Sequence, residues 1–337
     1  MDAGHQLLAQ AARAWADVNA AMHGPRLSIL IFHRVLPTPD PLFPGEVDAA
    51  RFDRMMAVVA RAFRVLPLAQ AVRSLGQACL PRRSLAITFD DGYADNQEVA
   101  LPILQRHALP ATFFVATGFL DGGRMWNDTV IECIRHTTRA SINVDELGVT
   151  DLPTVSVAER RAAIDRLIPL IKYKDLAGRQ QMMAALHKAC GSPALSETLM
   201  MRSGQVRSLH ASGMEIGAHT VNHPILTALP ESEARCELQQ GRDRLQDLTQ
   251  APVLTLAYPN GRPGTDYDRR HVGMARDLGF QQAVSTAVGV ASAGDDVYQL
   301  PRFTPWDTAL PKWTLRLLLN QQNARFKVAD EPVMRTA

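Results

Sequence analysis

Short apolar runs recur along the chain, and turns or amphipathic stretches separate them. Runs of about five residues rich in β-branched and aromatic side chains predict strands. These runs are Leu27–Phe32, Leu85–Phe89, Ala111–Ala116, Met214–Ala218, Val253–Ala257 and Gln282–Ser285. Helical patterns lie between them, for example over Gln97–His107 and Glu231–Leu248, each of which ends before a proline. Strands that alternate with helices indicate βα units around a parallel sheet or barrel.

One interval between predicted strands is much longer than a single crossover helix requires. It separates Ala116 from Met214, and its sequence predicts a loop over Asp151–Ser156 and then helices over Ala158–Ile171 and Leu176–Ala189. We interpret this interval as an α-helical insertion into the barrel. Two roles fit such an insertion: a cap that only covers apolar surface, or a lid or partner-binding surface.

The pattern predicts four parts: an N-terminal helix over 1–25, a barrel over 26–310, an insertion within it over about 125–205, and a C-terminal helix and tail over 311–337. Several apolar side chains of the N-terminal helix share one stripe: Leu7, Leu8, Ala11, Trp15, Val18 and Met22. This stripe predicts a helix docked on the core, and the alternative is a helix that lies on a membrane surface.

Composition excludes several classes of protein. Hydrophobic residues make up 46% of the 337 positions and charged residues 21%, which argues against a disordered chain. The formal charge of +2 comes without a dense basic run, so no nucleic-acid partner is expected. The four cysteines form no C-x-x-C pair, which disfavours a zinc knuckle or a disulfide framework. No apolar stretch is long enough to span a bilayer and no secretion signal is apparent, so we expect a cytoplasmic protein with peripheral membrane contact as the alternative.

Two adjacent carboxylates follow the second predicted strand, in the sequence Thr-Phe-Asp90-Asp91-Gly-Tyr93. The carboxyl ends of barrel strands are where α/β barrels build their active sites. Like charges side by side repel each other unless a cation or a proton intervenes. The structural alternative is a helix cap or a solvated turn, which is how we interpret the second Asp-Asp pair of the chain, Asp295-Asp296.

Two histidines, His219 and His223, follow the strand over Met214–Ala218. Their spacing lets both imidazoles meet one metal ion if the segment coils into about one turn, although such a pair also arises by chance. Combined with an acidic pair at the end of another strand, it gives one Asp and two His with an open position for water. That set is typical of a catalytic zinc site.

Further candidates follow other predicted strands. Tyr258-Pro259-Asn260 forms either a tight turn or an aromatic wall that faces a substrate. His33, in Phe-His-Arg-Val, is either a structural histidine or a catalyst, and Arg302 is positioned to pair with a carboxylate. Candidate substrate-binding residues are Tyr93, Trp126, Tyr258, Pro259, Asn260 and Arg302.

The order Thr-Phe-Asp-Asp-Gly, His-Thr-x-x-His and Tyr-Pro-Asn-Gly resembles the polysaccharide deacetylases of carbohydrate esterase family 4, the NodB-homology group. The opening Phe-His-Arg-Val resembles the Tyr-His-Arg-Val strand of a branch with a rearranged barrel order. The resemblance covers about residues 26–122 and 203–305. It implies a distorted (β/α)7 barrel and a divalent metal, usually zinc, with Co²⁺, Ni²⁺ or Mn²⁺ as alternatives.

The resemblance also implies roles for individual residues. Asp91, His219 and His223 would hold the metal, and Asp90 would be the general base that activates the attacking water. The backbone N–H near Tyr93 would stabilise the oxyanion. A histidine must then protonate the leaving amine.

Two elements of the family pattern are missing. The stretch Val253–Ala257 lacks the arginine that usually orients the catalytic Asp, and Arg302 is the substitute that we expect. The usual C-terminal Leu-x-His is absent, and in the rearranged branch that the opening strand resembles a histidine of the N-terminal strand takes its place, which implies that His33 is the acid. The sequence thus predicts a metal-dependent N-deacetylase that acts on an N-acetylated sugar of a glycan or glycoconjugate. The alternatives are a catalytically silent glycan-binding or scaffold protein, and an O-acetyl esterase.

Overall fold

The computed structural model of the chain describes residues 3–172 and 174–329. Its centre is a seven-stranded parallel sheet, whose strands are β1 (Ser28–Phe32), β2 (Arg64–Val65), β3 (Ser84–Phe89), β4 (Thr112–Val115), β7 (Glu215–Ala218), β8 (Thr255–Ala257) and β9 (Gln282–Val284). The strand order is β1-β3-β4-β7-β8-β9, and β2 pairs with the first residues of β3. A separate hairpin consists of β5 (Ser141–Val144) and β6 (Val149–Pro153).

Helices surround this sheet, which is curled into a half-barrel. The helices are α1 (Ala3–His23), α2 (Ala49–Ala62), α3 (Leu68–Gly76), α4 (Leu101–Arg106), α5 (Trp126–His136), α6 (Val157–Lys172), α7 (Leu176–Ala189), α8 (Ser203–Ala211), α9 (Glu231–Thr249), α10 (Arg269–Asp277) and α11 (Leu310–Asn320). A π-helical turn over Asn96–Ala100 precedes α4. Both β3 and β4 are buried along their whole length, as strands covered on both faces must be. The six strands expected from the apolar runs are all present.

An extended segment after β9 lies between the two edge strands of the sheet. The amide of Leu300 donates to Ala283 O at 3.0 Å, which attaches the segment to β9. The amide of Phe303 donates to Ile29 O at 2.9 Å, which attaches it to β1. The segment therefore carries Arg302 into the interior of the half-barrel, where this side chain is 1% exposed.

The insertion contains a β-hairpin as well as helices. Helices α6 and α7 match the predicted ones, but the expected loop over Asp151–Ser156 is wrong at its start, because Asp151–Pro153 belongs to β6. The buried side chains of the hairpin are Ile142, Val144, Val149 and Leu152, which pack with α5, α6 and α7 in an apolar cluster separate from that of the sheet. Buried and exposed residues are interleaved along these two short strands. Their sequence therefore resembles that of a polar loop, which explains why Asp151–Pro153 was predicted to be a loop.

Helix α1 packs on α2 and α11 through small residues. Ala9, Ala12 and Ala16 are at most 2% exposed, whereas Leu7, Val18 and Met22 are more than half exposed. We expected the bulky apolar stripe of this helix to face the core, and this is wrong for most of the stripe. Leu8 is the member that packs partly against the core. Small side chains face inward because they let the helix axes approach closely. None of the helices in the described ranges is long and apolar enough to cross a bilayer. Residues 330–337 of the expected tail lie outside the described residues.

Candidate active site

The turn after β3 carries the two adjacent carboxylates. Asp91 and Gly92 both have left-handed backbone conformations, with φ of 76° and 89°. A Cβ atom on Gly92 would lie 2.9 Å from Val115 Cγ1, so this position requires glycine for space as well as for conformation. The Gly92 amide donates to Asp90 O at 3.0 Å and closes the turn. The two successive carboxylates consequently face different partners.

Asp90 forms a two-point ion pair with Arg302. Arg302 Nη1 donates to Asp90 Oδ1 at 2.6 Å, and Nη2 donates to Oδ2 at 2.7 Å. The guanidinium also donates through Nε to Ser285 O at 2.9 Å and through Nη1 to Thr88 Oγ1 at 3.2 Å, so its orientation is fixed. Burial, the largest effect, would raise the pKa of Asp90, but the charge and hydrogen bonds of Arg302 together with the nearby His219 and His33 outweigh it and hold the pKa below its ordinary value.

Asp91 lies against the two histidines that follow β7. His219 Nε2 and His223 Nε2 are each 3.4 Å from Asp91 Oδ1. His219 Nδ1 donates to Ala257 O at 2.7 Å, since a carbonyl oxygen only accepts. This bond fixes the tautomer and leaves Nε2 of the neutral ring as an acceptor that faces Asp91.

A left-handed turn brings His223 back beside His219. Thr220 and His223 have φ of 65° and 50°. The Glu237 carboxylate accepts from the amides of Val221 and Asn222 at 2.9 and 2.8 Å, which holds the turn on α9. The two imidazole rings are consequently 4.7 Å apart between centroids.

The donor set fits a divalent cation. One ligand atom from each of Asp91, His219 and His223 lies within 4.8 Å of the other two. Asp91 Oδ1 is buried without a hydrogen-bond partner among the described residues, which is costly unless a cation or a proton meets it. Two imidazole nitrogens and a carboxylate oxygen are typical zinc ligands.

The two histidines lie against one carboxylate but differ in pKa. Burial lowers the pKa of His223 to about 4, so its ring is neutral at neutral pH. Burial, the largest effect, would lower the pKa of His219, but the nearby carboxylates of Asp91 and Asp90 together outweigh it and raise the pKa. Burial would raise the pKa of Asp91, but the neighbouring His219, His223 and His33 together outweigh it and lower the pKa. A bound cation would take the place of the proton that these groups compete for.

A cavity of about 270 Å³ joins this centre to other predicted residues. His33, Trp126 and Asn260 line it together with Asp90, Asp91, His219 and His223. The His33 side chain is exposed, and His33 O accepts from Asn96 Nδ2 at 2.8 Å.

Three of the residues predicted to contact the substrate do not line this cavity. Tyr258 is 0% exposed, and its ring stacks on that of Tyr267 with centroids 3.9 Å apart, so it faces the core. Pro259 is outside the set of described residues that line the cavity. Tyr93 is buried, and its hydroxyl donates to Asp128 Oδ1 at 3.3 Å.

The sequence analysis missed a polar cluster next to Tyr93. Arg34 Nε donates to Asp95 Oδ2 at 2.8 Å, and the Arg34 guanidinium lies 4.8 Å from the centroid of the Tyr93 ring. Asp128 Oδ2 is buried without a partner in the described chain, and burial raises the pKa of Asp128 to about 7. Arg34, Tyr93 and Asp128 line a second cavity of about 560 Å³, which meets the first at His33 and Asp91. Arg34 was visible within Phe-His-Arg-Val, whereas no motif marked Asp128.

Comparison with known proteins identifies related sequences. A family model described as polysaccharide deacetylase matches residues 77–147 and 151–283, which is more than half of the chain. The putative polysaccharide deacetylase YxkH of Bacillus subtilis (strain 168) is 26% identical over 98 residues. That match covers 29% of this chain and spans only about a third, 34%, of the relative's length. The family match includes the aspartates and histidines of the centre but neither His33 nor Arg302.

Two solved structures have a similar fold. The deacetylase PplD of Streptococcus pyogenes, in complex with acetate, superposes with a TM-score of 0.59 at 20% identity, over 87% of this chain and 98% of that one. IcaB from Ammonifex degensii superposes with a TM-score of 0.55 at 19% identity, over 86% of this chain and 97% of that one. These similarities confirm the predicted distorted (β/α)7 barrel of NodB type.

Proposed function

This chain belongs to the polysaccharide deacetylase family, and we propose that it is a metal-dependent hydrolase that removes the acetyl group from an N-acetylated sugar of a glycan or glycoconjugate. One observation carries this proposal. Asp91, His219 and His223 converge on one point, and Asp90 stands beside them with its carboxylate held by Arg302. The four groups line one cavity of about 270 Å³.

Asp91, His219 and His223 would hold the cation, with zinc as the first candidate and Co²⁺, Ni²⁺ or Mn²⁺ as alternatives for the same donor set. A divalent ion there would polarise the acetyl carbonyl and stabilise the oxyanion that forms when water adds to it. The hydrogen bond from His219 Nδ1 to Ala257 O orients its ring for this role.

Asp90 is the general base of the proposed reaction. Its carboxylate is ionised at neutral pH, since Arg302 holds its pKa below the ordinary value. Each carboxylate oxygen has two acceptor positions, so a carboxylate paired with Arg302 retains the capacity to accept a proton from the attacking water. Arg302 acts as a positioning residue, because its two-point contact removes the rotational freedom of the Asp90 side chain.

His33 is the proposed general acid. Its exposed side chain lines both cavities at the place where they meet Asp91. Breakdown of the tetrahedral intermediate requires a proton on the departing nitrogen, because an amide anion is a very poor leaving group. Trp126 and Asn260, which line the smaller cavity, are proposed to contact the sugar, and the amide near Tyr93 to contact the oxyanion.

An O-acetyl ester passes through the same type of oxyanion, so esterase activity is the second candidate. A silent binding protein is disfavoured by the complete set of ligands and base. The test is mass spectrometry of acetate loss from a panel of N-acetylhexosamine oligosaccharides and matched O-acetylated sugars, with the metal identified in parallel. Preferential loss of N-acetyl groups supports the proposal. Loss of only O-acetyl groups, or no loss by metal-replete protein, contradicts it.

A further inference from the structure

The insertion forms one wall of the cavity that contains the catalytic centre. The cavity is lined by Asp90, Asp91 and the two histidines, and also by four residues of the insertion: Trp126 of α5, Ile168 and Lys172 of α6, and Arg179 of α7. The insertion lies outside the motifs that carry the family resemblance. Its side chains are therefore the part of the site where selection for a particular substrate is expected.

Arg179 is the least exposed cation of that wall. Its side chain is 7% exposed, and its Nε is buried without a hydrogen-bond partner in the ranges that the structure describes. The guanidinium carbon lies 5.9 Å from the centroid of the Trp126 ring. Within those ranges, none of the carboxylates lies at ion-pair distance from it. A buried guanidinium without a counter-ion costs free energy, which a bound anion would recover.

Two carboxylates, those of Asp175 and Glu237, act on Arg179 through their charge, and both already have other partners. Asp175 Oδ1 accepts from the Gly178 amide at 2.8 Å and caps the start of α7. Glu237 accepts from the amides of Val221 and Asn222 and so holds the turn that places His223. Both act on Arg179 only at longer range, and burial, the larger effect, lowers the pKa of its guanidinium.

Arg179 and Lys172 also line a neighbouring cavity of about 330 Å³, whose other walls include Asn222 and Cys236. Arg179 thus stands where this cavity meets the catalytic one. A group bound to Arg179 would therefore lie at the junction of the two cavities. We take this junction as the place for a substituent on the reacting sugar or on the adjacent unit.

We propose that Arg179 binds an anionic group of the substrate, a phosphate or a carboxylate carried on or next to the N-acetylated sugar. The planar guanidinium presents paired donors that match the oxygens of either group. This inference rests on the proposed function, because it takes the catalytic cavity to be the site of an N-acetylated sugar. It defines the substrate class as an acidic saccharide, which the family membership does not.

Binding to full-length, chelator-treated protein tests the inference without turnover, since phosphate then has no metal to coordinate. Ligand-observed NMR titrations compare N-acetylglucosamine, N-acetylglucosamine 1-phosphate and a disaccharide of N-acetylglucosamine with glucuronic acid. The wild type is expected to bind at least one acidic ligand about tenfold or more tightly than the neutral sugar. Arg179→Gln removes this preference. Equal affinities of the wild type for all three ligands overturn the inference.

The matched control is Arg166→Gln. Arg166 lies on α6 of the same insertion, is exposed, and is not among the residues that line the cavity, so its loss leaves the preference unchanged. Arg179→Lys, which keeps the charge and loses the paired donors, retains a reduced preference; this variant serves if Arg179→Gln does not fold by circular dichroism. Loss of the preference in Arg166→Gln to the same extent would show a non-specific charge effect and overturn the inference.

Turnover by the metal-replete enzyme separates this inference from the proposed function. Arg179→Gln is expected to raise KM for the acidic substrate that binds by a larger factor than it raises KM for the neutral sugar. Equal losses on neutral and acidic substrates overturn the anion site. Acetate release from none of the substrates, with the binding preference intact, contradicts the proposed function and leaves the anion site standing.

Discussion

Arg302 and Asp90 form a two-point ion pair that is buried on all sides, although 212 residues separate them in sequence. The segment that carries Arg302 is hydrogen-bonded to both edge strands of the sheet, through Leu300 to β9 and Phe303 to β1. Closure of the half-barrel and orientation of the proposed base therefore depend on the same stretch of chain. A substitution at Arg302 is expected to affect both.

Arg302→Gln is expected to lower the free energy of unfolding by about 3–5 kcal/mol, because it leaves the Asp90 carboxylate buried without its counter-ion. Arg302→Lys retains the charge but lacks the paired N–H donors that contact both oxygens of Asp90. It should therefore cost less stability, while kcat still falls about tenfold or more. Urea unfolding and acetate-release kinetics measure the two effects. A wild-type kcat in Arg302→Lys would show that two-point orientation of Asp90 is unnecessary.

His219→Ala is expected to reduce the divalent metal content strongly, from about one ion per chain, since it removes one of three ligands. His136→Ala is the matched control, because His136 is a half-exposed histidine of α5 whose partner is Glu132. Inductively coupled plasma mass spectrometry of the purified variants gives the metal content. Full occupancy in a His219→Ala, His223→Ala double variant would show that the metal binds elsewhere.

His33→Ala should depress amide hydrolysis far more than hydrolysis of an activated acetyl ester, whose leaving group needs no proton. The ratio of the two rates, measured on one metal-replete preparation, distinguishes an acid from a structural histidine. Asp90→Asn serves as the comparison, since loss of the base should depress both reactions. Equal losses on amide and ester in His33→Ala would assign a structural role to His33.

Asp128 is expected to make the protein less stable as the pH rises. Its pKa in the folded protein, about 7, is above the ordinary value of 3.8, so the folded state favours the protonated form. The stability from this group is complete below about pH 4 and is lost as the pH rises through 7. Asp128→Asn keeps an acceptor for Tyr93 but does not titrate. The free energy of unfolding of this variant, relative to that of the wild type, should therefore be higher at pH 8 than at pH 4 by roughly 2–4 kcal/mol.

Thermal and urea unfolding of chelator-treated protein at several pH values measures this difference. Chelation matters because a cation at Asp91 would change the field at Asp128. A difference between the two proteins that is constant from pH 4 to pH 8 would show that Asp128 titrates normally.

The sequence predicted the strands, the parallel architecture and the residues at the strand ends. Buried parallel strands are continuous apolar runs, and the carboxyl ends of such strands meet at one edge, so Asp91, His219 and His223 could be expected to converge. Local patterns of this kind are sufficient wherever the sheet itself brings residues together.

Other features depended on packing between distant segments. The amphipathic pattern of α1 identified a helix but assigned the wrong face inward, because the close approach to α2 and α11 selects small residues such as Ala12 and Ala16. Tyr258 stacks on Tyr267 instead of facing the cavity, which no local signal distinguishes. Asp128 and Arg179 belong to the insertion, and only its folding back over the sheet brings them near the centre.

The most direct test of the account is the metal content and acetate release of Asp90→Asn, measured on the same folded preparation. The substitution removes the proposed base and keeps Asp91, His219 and His223. The account predicts a metal content equal to that of the wild type and a loss of kcat of about 10²–10⁴-fold on an N-acetylated oligosaccharide. Turnover near the wild-type rate with the metal in place would contradict the assignment of Asp90 and, with it, the proposed mechanism.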